Sequence, residues 1–222
     1  MKEGMISVEN KIILDLCGGT GAWSRPYKDA GYDVRNITLP EYDIMKTELD
    51  ESDILIFKGK KTLYLYPEKI YGVIAAPPCT MFSIARTNAK KPRNLKGSMD
   101  LVLMCLKIIW ICQYQIKGDN QRKPPLKFWA LENPKGLLEW FLGKPTYQFQ
   151  PYEFGDNYSK KTCLWGNFNE PSKLVLMQAQ KAKRSMSDLV TPMSNNRDFK
   201  KVAELRAITP PGFAKAFFEA NR

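Results

Sequence analysis

Short apolar runs recur along the chain, separated by longer amphipathic or polar stretches. Those at 12–16, 32–38, 72–76, 127–132 and 161–166 predict strands. The stretches 22–30, 99–116, 135–142 and 211–221 predict helices. In the second of these, Leu101, Met104, Cys105, Ile108, Ile109 and Cys112 recur at helical spacing and mark a core-facing stripe. Residues 54–57 and 62–66 alternate around Lys58-Gly59-Lys60-Lys61, the pattern of a hairpin. Strands interleaved with helices imply an α/β domain with a mostly parallel sheet flanked by helices. No internal repeat is evident, and residues 117–125 read as a polar loop.

Three of the predicted strands run into residues able to do chemistry. The run 12–16 passes through Asp15 and Cys17 into Gly18, Gly19, Thr20 and Gly21, with Trp23 just beyond. Glycines here permit a tight turn and let a ligand approach the backbone. The spacing fits neither Gly-x-Gly-x-x-Gly nor a phosphate loop with Gly-Lys-Ser/Thr. The run 72–76 ends at Pro77-Pro78-Cys79. Two prolines fix the backbone, so the chain leaves the sheet as a stiff loop carrying one thiol. That thiol is either a buried structural cysteine or a nucleophile presented at a strand's carboxyl end, where open α/β sheets bind ligands. The run 127–132 ends in Glu132-Asn133-Pro134, a carboxylate placed either to meet a ligand or to cap the helix that follows.

In order, these elements resemble the DNA (cytosine-5) methyltransferase family. Residues 15–21 are similar to its first motif, Pro78-Cys79 with Phe82-Ser83 matches its Pro-Cys-x-x-Phe-Ser motif, and Glu132-Asn133-Pro134 matches its Glu-Asn-Pro. The likeness covers about 12–166 and resumes near 206–221. It implies a Rossmann-like S-adenosylmethionine-dependent methyltransferase fold, with S-adenosylmethionine as cofactor and DNA as substrate. Cys79 would add to carbon 6 of a flipped cytosine, because a thiolate is strongly nucleophilic and leaves again afterwards. Glu132 would hold ring N3 and the exocyclic amine, with Asn133 fixing its position. Asp15, Cys17, the glycine turn, Trp23 and Pro78 would line the cofactor site. Amino-group methyltransferases instead need an acid or amide before Pro-Pro and an aromatic ring after it. Here Ala76 and Cys79 stand there, which disfavours that chemistry.

Departures from the family are as specific as the likeness. Thr38 stands where an acidic residue usually takes the cofactor ribose, with Glu41 close behind; Asp43-Ile44 resembles the motif that meets the adenine. Where Gln-x-Arg-x-Arg is usual, this chain has Lys160, Lys161 and Thr162, so lysine would contact the cytosine O2, and which of the two is open. Lysine lacks the planar fork of arginine. The tail 206–218 replaces the final motif and reads as a turn and an amphipathic helix with a packing role.

Charge and cysteine usage then narrow the partners. A formal net charge of +11 favours a polyanion. The cluster of Arg86, Lys90, Lys91 and Arg93 follows Cys79 and Ser83 in a polar stretch that resembles the loop closing over a flipped base, making these candidate phosphate contacts. Five scattered cysteines with no histidine and no Cys-x-x-Cys argue against zinc, and reduced thiols suit a cytoplasmic enzyme; the family resemblance implies a bacterial or phage-infected cell. No segment has the apolar length of a membrane span and no signal-peptide pattern opens the chain. The expected organisation is a catalytic domain over 1–166, a short recognition region over 167–205, and a C-terminal helix over 206–222 packing back. The recognition region is polar and low in aromatics, which implies weak sequence specificity or recognition by a partner chain. RNA as substrate, and a homologue that binds without turnover, stay open as alternatives.

Overall fold

The computed structural model describes residues 11–84, 86, 90–114, 126–174, 186 and 205–222. Most of the expected recognition region, the polar loop 117–125 and the basic run at 181–184 therefore lie outside the described residues.

The chain builds an α/β fold whose main sheet has six strands in the order β2-β1-β6-β7-β9-β8. β1 (Ile12–Leu16) pairs in parallel with β2 (Asp33–Ile37) on one side and β6 (Ile70–Ala75) on the other. β7 (Phe128–Pro134) runs parallel to β6. β9 (Thr162–Asn167) lies antiparallel between β7 and the three-residue β8 (Tyr147–Phe149). After β1 the chain steps to β2 on one side, and later returns to β6 on the other. The strand order thus reverses at the β1/β6 junction, where open α/β sheets leave a crevice beyond the carboxyl ends of their strands.

Alternate residues of β1 feed two cores. Ile13 faces an aromatic layer with Trp23, Tyr27, Phe128, Phe213 and Phe217, while Leu14 and Leu16 face the layer containing α2 (Leu95–Gln113). Helix α2 starts at Asn94, whose side chain accepts from the Gly97 N–H at 3.0 Å. The expected helical stripe is present, with Cys105, Ile108, Ile109 and Cys112 all buried. The final helix, α4 (Pro211–Ala220), closes the aromatic layer: Phe213 stacks on Phe149 at 3.9 Å between centroids, and Phe217 meets Trp23 edge-on.

Besides α2, which begins at Leu95 where the helix was expected from 99, four elements differ from expectation. The helix expected over 22–30 is the single turn α1 (Arg25–Asp29), because Ser24 turns its hydroxyl into Asp15 instead of capping and Pro26 stands at the helix start. The helix expected over 135–142 is only α3 (Glu139–Leu142). Here a Cβ at Gly136 would collide with the Phe82 carbonyl, and the Lys135 N–H is taken by the Lys161 carbonyl, so the chain stays extended through 136. The hairpin β4 (Leu55–Lys58) and β5 (Thr62–Leu65) gains a third strand, β3 (Asp43–Leu49), making a separate antiparallel sheet. Along β3 only Ile44 and Thr47 are buried, and its register shifts between Asp43 and Glu48, so no two-residue alternation exists to read. β8 was equally unforeseen, since three residues are too few to show a period.

Candidate functional site

A cleft of about 440 Å³ opens beyond the carboxyl ends of β1, β6 and β7. Its size falls within the usual range for small-molecule sites. Each of the three motif segments contributes to its wall.

The β1 end supplies a buried carboxylate under a tight turn. Asp15 has no exposed surface; its Oδ2 accepts from Ser24 Oγ at 2.5 Å, while Oδ1 is buried without a hydrogen-bond partner. Burial pushes its carboxyl up to about 6, with the Ser24 bond working against that rise. Cys17 sits in the left-handed region at φ 57°, and the turn closes with Gly21 N–H donating to Gly18 O at 2.8 Å. Any side chain at Gly18 would overlap the Asp15 carboxylate, so only glycine lets the backbone pass over it. Cys17, Gly18, Gly19, Thr20 and Trp23 all line the cleft, and the Trp23 indole N–H is also buried without an acceptor. A ligand carrying both N–H or O–H donors and acceptor atoms would satisfy these groups.

From the β6 end comes the thiol. Ala76 N–H still pairs with Leu16 O at 2.9 Å, after which Pro77 and Pro78 cannot donate and the chain turns away. Cys79 is half-buried and its carbonyl accepts from the N–H groups of Phe82 and Ser83 at 3.0 and 2.9 Å. Phe82 is fully buried and anchors the loop in the core. Burial raises the Cys79 thiol above its ordinary value, the nearby Glu132 carboxylate raises it further, and Lys160 and Arg206 draw it back down.

Near the carboxyl end of β7, Glu132 lines the same cleft, close enough for its charge to act on the Cys79 thiol. Burial raises the Glu132 carboxyl, with Lys160 opposing. Asn133, 1% exposed, points behind the cleft wall, where Nδ2 donates to Pro77 O at 3.0 Å. Pro78 and Pro134 complete this side.

The two lysines at the start of β9 part company. Lys160 lines the cleft and its Nζ donates to the Arg206 carbonyl at 2.9 Å, whereas Lys161 lines a separate surface hollow with Gln150 and Tyr152.

Several expected residues lie elsewhere. Thr38, Asp43 and Ile44 are outside the cleft wall: Asp43 Oδ1 accepts from Met45 N–H at 3.1 Å, and Ile44 is buried in the core. Gly21 borders a neighbouring hollow with Ser24 and Asn36. Ser83 bridges to Gly136, and Arg93 donates to the carbonyls of Met81 and Ser83 at 2.6 and 3.0 Å, bracing the loop that carries Cys79. Arg86 is partly buried, its carbonyl taking a further Arg93 donor at 3.4 Å; Lys90 and Lys91 are exposed.

Several residues of the wall carry no motif. Leu39, 69% exposed, lines the cleft from the loop after β2, and Arg206 and Thr209 reach it from the tail that had been assigned to packing. Nothing local in the sequence marks them, because the fold alone brings these segments together.

Among the described residues no group of three or more Cys, Asp or Glu could hold a metal ion, and no helix is long and apolar enough to cross a membrane. A search of protein-family models and of curated proteins finds no match to this chain.

Proposed function

We propose that this protein transfers a methyl group from S-adenosylmethionine to carbon 5 of cytosine in DNA, through a covalent adduct on Cys79. The observation that supports this reading above all is the shared cleft: a glycine turn over a buried acid, a half-buried thiol and a half-buried carboxylate meet near the point where the strand order reverses.

The residues present fit the cofactor. Asp15 Oδ1 lacks a partner and would accept from an ammonium or hydroxyl group, and the turn at Gly18 leaves no side chain between ligand and backbone. When bound, this cofactor supplies an electrophilic methyl group on a sulfonium.

The chain's own groups do the remaining work. Carbon 5 of cytosine is a poor nucleophile until a group adds at carbon 6. Cys79 Sγ, its proton lost to solvent, forms that bond, and the π pair of the carbon 5–carbon 6 bond shifts toward carbon 5 and ring N3. Glu132 donates to N3, a role suited to a carboxyl that burial keeps protonated to higher pH. Asn133 and Pro134 hold that carboxyl at the strand tip. Once carbon 5 has taken the methyl group, loss of its proton to solvent restores the double bond and expels the Cys79 thiolate, while N3 returns its proton to Glu132.

The test is transfer of labelled methyl to cytosine-containing DNA and to RNA of matched sequence. The proposal expects label on DNA cytosine carbon 5; label on RNA alone would move the substrate, and label on neither would overturn the reading.

A further inference from the structure

We infer that Arg206 is the cation that meets the carbonyl oxygen of the substrate base beside Cys79, and that Lys160 is a positioning residue acting through it. This rests on the proposed cytosine chemistry. When Cys79 adds to carbon 6, negative charge spreads from the ring onto the base oxygen, and a fixed cation aimed at that oxygen stabilises the adduct.

Two cations line the thiol side of the cleft, Lys160 and Arg206. They are not equivalent. The Lys160 ammonium is committed to the Arg206 carbonyl at 2.9 Å, across 46 residues of chain, and so pins the short turn that carries Arg206. Arg206 itself is exposed, lines the cleft wall and carries a planar fork of donors. Its charge acts on Cys79 in the direction that favours the thiolate. A guanidinium can hold a carbonyl oxygen in a fixed plane, which a flexible ammonium does less strictly. The expected lysine contact is therefore replaced by an arginine delivered from the C-terminal tail, with the lysine as its brace.

The experiment compares wild type with Arg206→Met, Arg206→Lys and Lys160→Met. The first readout is the pH dependence of Cys79 alkylation by iodoacetamide, followed by mass of the Cys79 peptide; the charged groups facing the thiol are Glu132, Lys160 and Arg206. The second is kcat and KM for methyl transfer to cytosine DNA, with S-adenosylmethionine binding as the check on folding. Arg206→Met should move the alkylation midpoint upward by about half a pH unit. It should lower kcat by about 100-fold, the usual scale for loss of one oxyanion donor, while cofactor binding is unchanged. Arg206→Lys should recover part of the rate, and Lys160→Met should lower kcat with a smaller midpoint shift. Wild-type turnover with Arg206→Met at full rate, or an unmoved midpoint, overturns the assignment alone. A wild type that modifies no cytosine substrate overturns the functional reading on which the assignment rests.

Discussion

Asn133 Nδ2 donates to the carbonyl of Pro77 at 3.0 Å, so the strand that presents the carboxylate is tied directly to the loop that presents the thiol. Pro77 and Pro78 have no N–H groups, so this bond works with the Phe82 anchor, the Ser83–Gly136 bridge and the Arg93 bonds in holding the loop. Losing one partner of a buried hydrogen bond leaves the other unsatisfied, at about 1–3 kcal/mol. Asn133→Ala should destabilise by that amount in a denaturant titration. Its kcat should fall at least tenfold while cofactor affinity, set at the β1 end, holds. Asn133→Asp should fare worse, because it faces one acceptor with another.

Cys79→Ala should abolish methyl transfer and leave S-adenosylmethionine binding intact, because the thiol acts on the base only. Glu132→Gln keeps the shape of the side chain and removes its proton chemistry, so kcat should fall by a factor of about 100 to 10,000 with an unchanged melting temperature. Equilibrium dialysis, methyl-transfer kinetics and thermal melts check both variants. Unaltered transfer by Cys79→Ala would remove the thiol from the mechanism.

Asp15 gives a pH dependence of defined sign. Its carboxyl lies at about 6 in the fold against 3.8 for the free side chain, so the folded state binds more protons between those values. Stability contributed by this group is therefore greatest below pH 3.8 and falls as pH rises to about 6, by about 3 kcal/mol on an order-of-magnitude scale. Asp15→Asn should flatten that segment of the ligand-free stability profile, measured by denaturant midpoints between pH 4 and 7. It should also abolish tight cofactor binding. In the wild-type protein, binding of a cationic ligand should strengthen as pH rises through about 6.

Phe213 carries the contact of α4 with the main sheet, stacked on Phe149 and tilted against Trp23. Phe213→Ala should cost about 3–5 kcal/mol of stability. Because Trp23 lines the cleft beside the glycine turn, affinity for S-adenosylmethionine should drop as well; an unchanged affinity would show that α4 does not support the cleft wall.

The parts of this fold legible in the sequence are those whose burial is dictated locally. β1, β6 and β7 are apolar runs because both faces of the sheet are covered, and the stripe on α2 follows from one buried face. The shortening of α3 was not legible, since it depends on Gly136 lying against Phe82, more than fifty positions earlier in the chain. Lys160 and Lys161 are adjacent at a strand entrance and so point to opposite sides, which leaves composition unable to choose between them. The residues proposed to carry the chemistry are visible as motifs, yet their meeting in one cleft follows from the strand order.

The central claim is a bond between Cys79 and carbon 6 of cytosine. It is tested most directly by incubating the protein with S-adenosylmethionine and DNA containing 5-fluorocytosine. Fluorine cannot leave as a cation, so the adduct cannot resolve after methyl transfer. The account predicts a complex stable to denaturation, with the added mass on the Cys79 peptide and none in Cys79→Ala. Active transfer to normal DNA with no trapped complex, or trapping through another residue, would contradict it.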